Sequence, residues 1–252
     1  MSFRKTYAGA EPQRVNKWLA AEGVCSRREA EELIAGGGVF IDGARIDDPG
    51  RKIEPGQTIE VRGADATAKI SVVINKPVGV VSAQPEGAQI PAARLLTRAN
   101  LVGAADNMPT AKTSLPPLGR LDQDSRGLLL LSEDGVLTKA VIGPDSKLDK
   151  EYLVRVAGPV TERKLALLRH GLALDGRQLK PAKVTAVEPQ RLRFVLTEGR
   201  NRQIRRMCEL VDLEVTDLYR IRIGPLKLGD LPEGRWRALQ PAERDKLIKE
   251  SR

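Results

Sequence analysis

Apolar residues at helical spacing predict two helices near the start of the chain, in VNKWLAA and in REAEELIA. Ser26 and Glu29 have the spacing of a capping box at the start of the second helix. Two short strands then flank Asp42 and Gly43, which is a strong hairpin signal. Residues 1–11 before this compact unit are expected to form a loose arm.

The rest of the chain shows strand and helix patterns in mixed order. Apolar runs predict strands in KISVVINK, GLLLLS, KEYLVRVAG, RLRFVLTEG and EVTDLYRIRIG; helical spacing occurs in VLTKAVIG, TERKLALLRHGL, NRQIRRMCELV and PAERDKLIKE. Residues 84–117 are expected to form a short helix around Ala92–Thr97 and then a mobile loop. Because strict βαβ alternation is missing, we predict an α+β fold around a largely antiparallel sheet.

A small polar segment, GADATA at Gly63–Ala68, predicts a linker. The expected domains therefore span residues 12–63 and 69–250.

The net charge of +9 favours a polyanionic partner, usually nucleic acid. The first 63 residues carry equal numbers of basic and acidic side chains, so the whole excess lies in the larger domain. An anionic membrane surface or ordinary solubility charge would be alternative explanations. No apolar run approaches the roughly 18 residues of a membrane span, and MSFRKTYAGAEPQ lacks the apolar core of a signal peptide. We therefore expect no membrane partner.

Chemistry based on metals, disulfides or a histidine relay finds no support in the residues. Cys25 and Cys208 lie far apart, which predicts neither a disulfide framework nor a zinc site and fits a reducing cytoplasm. The single histidine, His170, ends a predicted helix. The GGG segment lacks the Lys-Ser/Thr of a phosphate loop. We expect no metal site.

The segment NRQIRRMCELV predicts a helix with a buried stripe and a second stripe of arginines. Arg202, Arg205 and Arg206 share one face, and Arg200 precedes them. Arginine suits bidentate binding of phosphate or carboxylate. These side chains are expected to meet an anion, and a merely solvated helix face is the alternative.

Two carboxylates and two arginines cluster in GRLDQDSRG, just before the buried leucines. A carboxylate at the edge of a sheet beside arginines is either part of a structural ion pair or a catalytic group. Without metal or histidine, a catalytic carboxylate would act as nucleophile or base. Asp122 and Asp124 are the candidates, and the residues alone leave both interpretations open.

Four further residues invite a functional and a structural interpretation. Tyr152 lies near the start of a predicted strand. Its structural role would be packing within the protein, and its functional role would be stacking on an RNA base, worth about 1–3 kcal/mol. Lys76 in NKPVG, at the end of a predicted strand, would hold a phosphate; the motif alone does not specify this role. Arg27 and Arg28 lie in a first helical turn, where the helix dipole disfavours cations unless an anion binds there.

INKPVG, GRLD, KEY and RQIRRM, in this order, resemble the RsuA/RluB-type pseudouridine synthases. RVNKWLAAEGVCSRREAEELIAGGGVFIDG resembles the alpha-L, ribosomal-protein S4-type, RNA-binding module, so the resemblance covers nearly the whole chain. It implies isomerisation of a specific uridine in large-subunit (23S) ribosomal RNA without metal, nucleotide or redox cofactor. Small-subunit ribosomal RNA or transfer RNA as substrate, or a non-catalytic RNA-binding role, are the alternatives.

The resemblance also implies roles for individual residues. Asp122 matches the essential aspartate, Tyr152 the tyrosine that packs against the target base, and Arg205 the basic residue that pairs with the aspartate. Arg120 would shape the RNA pocket, and Asp124 matches a second acidic position of structural importance. The residues expected to bind RNA are Arg27, Arg28, Lys76, Arg120, Arg200, Arg202 and Arg206.

A target uridine must leave its stack to react, at a cost of a few kcal/mol. In the enclosed site the carboxylate of Asp122 would need a charged partner to stay ionised. Attack on the ribose C1′ and removal of a ribose proton to give a glycal both remain open. We expect a cytoplasmic monomer, with a segment between NKPVG and GRLD that is longer than the family suggests.

Overall fold

The computed structural model describes residues 3–62, 69–110 and 113–251. The chain divides into two compact units, Met1–Lys69 with Glu133–Lys139, and Ile70–Ser132 with Ala140–Arg252. The expected linker at 63–68 lies outside the described residues. The domain limits of 12–63 and 69–250 stay predictions.

Among the described residues, the N-terminal part of the first unit forms two helices and six short strands. They are β1 (Phe3–Thr6), β2 (Gln13–Arg14), α1 (Val15–Ala21), α2 (Arg27–Ala35), β3 (Val39–Ile41), β4 (Ala44–Arg45), β5 (Lys52–Ile53) and β6 (Thr58–Val61). A four-stranded antiparallel sheet has the order β1-β6-β3-β4, and β2 pairs with β5. Its core includes fully buried side chains from both helices and the sheet, among them Val15, Leu19, Ala30, Ile34 and Ile59.

Local signals in this unit are confirmed. The Ser26 hydroxyl accepts a hydrogen bond from the Glu29 backbone N–H at 3.2 Å, and the Glu29 carboxylate accepts one from the Ser26 N–H at 2.6 Å. Asp42 and Gly43 both have positive φ, 48° and 83°, as a two-residue hairpin turn requires.

The expectation of a loose arm over residues 1–11 is wrong for Phe3–Thr6. This segment is a strand that pairs with β6, with Phe3 opposite Val61. A four-residue strand whose partner lies some 55 residues away has no local signature, because its pairing is decided by tertiary contacts.

The second unit contains the longer strands. They are β7 (Ser71–Lys76), β8 (Val80–Val81), β9 (Ile90–Pro91), β10 (Arg126–Ser132), β11 (Lys150–Ala157), β12 (Ala173–Leu174), β13 (Arg177–Gln178), β14 (Lys183–Glu188), β15 (Arg191–Leu196), β16 (Glu214–Ile223), β17 (Leu226–Lys227) and β18 (Trp236–Ala238). The helices are α3 (Gly135–Ile142, whose first residues fall in the first unit), α4 (Glu162–Arg169), α5 (Gln203–Glu209) and α6 (Pro241–Glu250), with 3₁₀ turns at Ala92–Leu95 and Arg98–Asn100.

One mixed sheet organises this unit. Its order is β14-β15-β11-β16-β10-β7-β18, with β17 added to β16, and only the β10–β16 pair is parallel. The prediction of an α+β fold around a largely antiparallel sheet is therefore confirmed. Leu128–Leu131 of β10 are completely buried, which explains why this strand is continuously apolar instead of alternating.

Helix α5 has the predicted buried stripe, since Ile204, Met207 and Cys208 are at most 4% exposed. His170 is the C-cap of α4, as expected. Strand β14 was not predicted, because its burial pattern is that of an exposed edge strand with little apolar alternation.

The described part of residues 84–117 is tied to the sheet and is not the free loop that the composition suggested. The expected helix is a 3₁₀ turn at Ala92–Leu95. The Trp236 indole N–H donates to the carbonyl of Thr97 at 2.8 Å, and Leu101 forms a bridge to Trp236. Pro117 forms a second bridge to Leu131. No helix in the described ranges is long and apolar enough to cross a membrane.

Candidate active site

The loop that carries Asp122 is held by a buried serine. The Ser82 hydroxyl accepts from the backbone N–H of Leu121 at 2.9 Å and donates to the carbonyl of the same residue at 2.7 Å. After Asp122 the chain turns, and the N–H of Ser125 donates to the Asp122 carbonyl at 3.1 Å. The backbone on both sides of Asp122 is therefore fixed before any substrate binds.

A buried arginine supports the same loop from the sheet. Arg220 of β16 is 1% exposed, and its guanidinium donates to the carbonyls of Leu128, Gly119 and Arg120 at 2.7, 3.3 and 3.4 Å. Hydrogen bonds to carbonyl dipoles offset the cost of burying this charge. No local signal in the sequence distinguishes Arg220, because it is one basic residue among several in a predicted strand.

Asp122 and Asp124 share the arginines of the α5 segment unequally. Arg202 binds Asp124 with both η nitrogens, at 2.8 and 3.1 Å, and its Nη1 lies 3.7 Å from an Asp122 oxygen. Arg205 places Nε 3.3 Å from the Asp124 carboxylate, and its Nη atoms donate to the carbonyls of Asp124 at 2.7 Å and Val215 at 3.1 Å. The expected pairing of Arg205 with Asp122 is therefore corrected: the cation beside Asp122 is Arg202.

This arrangement leaves Asp122 accessible and Asp124 strongly paired. The side chain of Asp122 is 37% exposed and that of Asp124 is 45% exposed. Partial burial works against ionisation of Asp124, but the hydrogen bond from Arg202 and the charges of Arg205 and Arg202 outweigh it and lower the pKa of Asp124. Asp124 thus stays ionised and orients both arginines next to Asp122.

Tyr152 lies on the sheet beside the supporting arginine. It is half-buried in β11, opposite Arg220 of β16 and Phe194 of β15, and it packs against two apolar clusters of the unit. Residues directly opposite each other in an antiparallel pair project from the same face. The ring is therefore on the face from which Arg220 reaches the loop of Asp122.

The prediction that Lys76 contacts phosphate does not agree with its position. The side chain is 0% exposed, and Nζ donates to the carbonyls of Pro77 at 2.9 Å and Val80 at 2.6 Å. Burial lowers the pKa of Lys76 to about 8, against the opposing effect of the Asp122 and Asp124 carboxylates. Lys76 is buried beneath the NKPVG turn and stabilises it through these two hydrogen bonds.

Arg200 is also committed to the backbone. Its guanidinium donates to the carbonyls of Leu174, Arg177 and Gln178 at 3.1, 3.2 and 2.9 Å. These residues form the β12–β13 hairpin, so Arg200 holds that hairpin through both Nη atoms. Its role as an RNA contact stays a prediction.

The other predicted RNA contacts remain at the surface. Arg206 makes a bidentate pair with Asp175 at 2.6 and 3.0 Å, and Asp175 is 68% exposed, so a phosphate is able to compete for this arginine. Arg120, Arg27 and Arg28 are exposed and make no side-chain hydrogen bond or ion pair within the described residues.

The second arginine of GRLDQDSRG has a structural role. Arg126 binds Asp217 with Nε and Nη2 at 2.8 and 2.9 Å, and its guanidinium carbon lies 4.1 Å from the centre of the Tyr219 ring. It joins β10 to β16 at the start of their parallel pairing.

Arg202 and Arg205 also line an open groove of about 550 Å³. The other lining residues are Ala157, Gly158, Glu209, Asp212, Leu213, Glu214 and Val215. Asp122 is not among them, and three of them are acidic, so we do not assign the reaction to this groove. Among the described residues no group of three or more His, Cys, Asp or Glu side chains could hold a metal ion.

The fold, together with two aspartates beside the arginines of the α5 segment, indicates the class of protein. A family model for RNA pseudouridylate synthase matches residues 70–210, more than half of the chain, and a model for the S4 domain matches residues 13–59. The chain belongs to the RNA pseudouridine synthase family and carries an N-terminal S4 domain. It is an RNA pseudouridine synthase, as the sequence predicts.

Individual relatives agree with this assignment. The dual-specificity RNA pseudouridine synthase RluF of Escherichia coli K12 is 36% identical over 241 residues, which cover 94% of this chain and 78% of that protein. Ribosomal large subunit pseudouridine synthase B of Bacillus subtilis is 33% identical over 243 residues, covering 93% and 95% of the two chains. A crystal structure of a pseudouridylate synthase superposes with a TM-score of 0.65 at 27% identity and covers 93% and 99% of the chains.

Proposed function

We propose that this enzyme isomerises a specific uridine of large-subunit ribosomal RNA and that Asp122 is its catalytic carboxylate. The observation that carries the assignment of the residue is its placement: Asp122 is accessible, on a loop fixed by Ser82 and Arg220, with one arginine at 3.7 Å. The names of two relatives, a ribosomal large subunit pseudouridine synthase and a dual-specificity RNA pseudouridine synthase, support the choice of RNA.

The reaction exchanges one glycosidic bond for another. The C1′–N1 bond breaks, the uracil rotates, and a C1′–C5 bond forms, while C5 loses a proton and N1 gains one. Asp122 begins this sequence by attacking C1′ or by removing a ribose proton, and the geometry is compatible with both routes. In either route the carboxylate must be ionised and unobstructed, which its long contact with Arg202 allows.

We assign supporting roles to three neighbours. Tyr152 stacks on the everted uracil, since its ring shares the face of the sheet that meets the loop. Arg202 supplies the charge next to Asp122, and Arg205 acts through Asp124 to hold the loop and α5 together. Arg120 is free to contact the RNA backbone near the everted nucleotide.

The first experiment maps pseudouridine in ribosomal and transfer RNA from cells with and without the gene, complemented by wild type or by Asp122→Asn. We expect one or a few large-subunit positions to depend on the wild-type protein and to stay unmodified with Asp122→Asn. Asp230→Asn, on an exposed loop, is the matched control and restores modification. Modification confined to small-subunit or transfer RNA would overturn the proposed substrate, and full activity of Asp122→Asn would overturn the proposed catalytic residue.

We propose that the S4 domain docks the RNA through Arg27 and Arg28. Both are exposed in the first turn of α2, where the capping box already satisfies the Ser26 and Glu29 backbone N–H groups. Replacing both arginines with alanine should raise KM on structured RNA and reduce the salt dependence of binding. A double alanine variant at Lys246 and Lys249, exposed on α6, removes the same charge elsewhere and controls for net charge. Equal effects of the two double variants would contradict this docking.

We further propose that the enzyme works as a cytoplasmic monomer. Both cysteines are buried and unpaired, as expected of a protein kept in a reducing compartment. Light scattering of the protein with and without substrate RNA measures its mass, and a dimer under both conditions would contradict the proposal.

A further inference from the structure

Lys150 stands out as a cation that the proposed reaction does not yet use. It is the first residue of β11, two residues before Tyr152, and lies opposite Ile223 of β16. Alternate residues of a strand project from the same face of the sheet. The β11–β16 register shifts between Glu151 and Tyr152, but the extra residue, Ile221, is on β16, so β11 keeps its alternation and Lys150 shares a face with Tyr152 and with Arg220 opposite it.

The side chain of Lys150 reaches the loop of Asp122. A Cβ built on Gly119 would lie 4.0 Å from Cε of Lys150 and 3.9 Å from Nη1 of Arg220. Gly119 has φ of +87° and precedes Asp122 by three residues. Both cations thus flank the same short piece of backbone at the start of the catalytic loop.

Only one of these two cations has partners. Arg220 donates to three carbonyls, whereas the half-buried Lys150 makes no side-chain hydrogen bond or ion pair within the described residues. The acids on either side of it in sequence are already engaged, since Arg222 binds Asp149 at 2.6 and 3.1 Å and Glu151 at 2.7 Å.

An unpaired, partly desolvated ammonium group is unfavourable. Burial lowers the pKa of Lys150, the charge of Arg220 lowers it further, and Asp149 offsets this only in part. An anion bound next to the ammonium would offset both the cost of its burial and its repulsion by Arg220. In an enzyme that acts on RNA, the anion that every substrate brings is a backbone phosphate.

We propose that Lys150 binds a backbone phosphate of the substrate RNA beside the everted uridine. The inference rests on the proposed function, because the phosphate belongs to the RNA that Asp122 modifies. A lysine suits this task as a point charge that tolerates some variation in the angle of approach. Lys150 is then a substrate-binding residue, and Arg220 next to it is a positioning residue for the loop.

The first test compares Lys150→Met with Lys150→Arg on the RNA that mapping identifies. Lys150→Met should weaken RNA binding about tenfold or more, lower the salt slope by about one, and leave the rate at saturating RNA within about twofold of wild type. Lys150→Arg should keep most of the affinity. Lys183→Met removes an exposed lysine from edge strand β14 of the same sheet and should change neither the affinity, nor the salt slope, nor the saturated rate.

A second test locates the phosphate. Synthetic stem-loops carrying the mapped uridine receive one neutral methylphosphonate at a time on either side of it. Wild type should lose affinity at one linkage, and Lys150→Met should lose nothing further at that linkage while staying sensitive at the others.

Several results would overturn the proposal. They are an unchanged salt slope for Lys150→Met, full sensitivity of that variant to every methylphosphonate, or a lower saturated rate with unchanged affinity. Thermal melts of the two Lys150 variants separate these outcomes from misfolding. If wild type and Lys183→Met modify the RNA and Lys150→Met behaves as they do, this inference fails while the proposed function stands.

Discussion

Gly127 of β10 is the position where a single methyl group should do the most damage to the site. Its φ is +110°, and it lies opposite Arg220 in the parallel β10–β16 pair. A Cβ at this position would lie 2.3 Å from the carbonyl oxygen of Arg220, 2.7 Å from its nitrogen and 2.9 Å from Cδ2 of Tyr219. Two of these atoms belong to backbone, so relief requires β10 and β16 to separate.

The magnitude follows from two contributions. A non-glycine residue at positive φ costs about 1–2 kcal/mol, and overpacking a well-packed site costs about 1–3 kcal/mol. Gly127→Ala should therefore lower the free energy of unfolding by about 2–5 kcal/mol, a large part of the roughly 5–15 kcal/mol of a typical domain. Since Arg220 holds the catalytic loop, activity should also fall among the molecules that remain folded.

Gly171 provides the matched control. Its φ is +109°, and a Cβ there meets no atom within 4 Å. Gly171→Ala therefore carries the conformational cost without the clash. Urea denaturation of both variants gives the two free energies, provided the m-values stay equal. If Gly127→Ala costs no more than Gly171→Ala, the argument from close approach of the two strands is refuted.

Three further predictions concern the same unit and the buried thiols. Ser82→Ala should lower the free energy of unfolding by about 1–3 kcal/mol, because the N–H and the carbonyl of Leu121, the residue before Asp122, both lose the Ser82 hydroxyl. It should also reduce kcat more than it raises KM. A wild-type rate constant in single-turnover assays would contradict this. The folded-state pKa of Asp124 is lowered, so its contribution to stability is present above its ordinary pKa and is lost as pH falls through the folded value. Asp124→Asn should accordingly be less stable than wild type at pH 7, by about 1 kcal/mol or less for so exposed a group, and the difference should shrink as the pH falls below the ordinary pKa of an aspartate. A deficit that does not change with pH would count against the ion pair. Burial raises the pKa of Cys25 and of Cys208 to about 12, so thiol reagents at pH 8 should label neither in the folded protein and both in urea, and rapid labelling of the folded protein would argue against this burial.

Local features of the fold were predictable because their causes are local. The capping box of Ser26 and Glu29, the hairpin at Asp42 and the apolar stripe of α5 each depend on residues within a few positions of one another. Strand β1 was missed because its partner is distant in sequence, and β14 because an exposed edge strand lacks alternation.

The candidate site was predictable as a list of residue types but not as a set of contacts. The motifs brought Asp122, Tyr152 and the arginines of α5 to attention, yet they did not indicate which arginine lies beside which carboxylate. Arg202 and Arg205 are three residues apart on one predicted face, and only the bend of the loop decides that Arg202 is the one near Asp122.

The basic residues near the site fall into two groups: those whose donors already bind backbone carbonyls, and those whose donors do not. This difference explains why the sequence suggested phosphate contacts for Lys76 and Arg200. Lys76, Arg200 and Arg220 each donate to two or three backbone carbonyls. The acceptors of Arg200 and Arg220 belong to segments distant in sequence, whereas those of Lys76 become available only when the chain turns directly after it. A count of positive charges treats such residues as candidates for phosphate, although their donors are already used. Lys150 is the opposite case: its side chain approaches Gly119 beside Arg220, but it makes no side-chain hydrogen bond within the described residues. Its ammonium donors therefore remain available to an incoming phosphate. Whether a cation near Asp122 is available to RNA therefore depends less on its charge than on whether its hydrogen-bond donors already have acceptors in the protein.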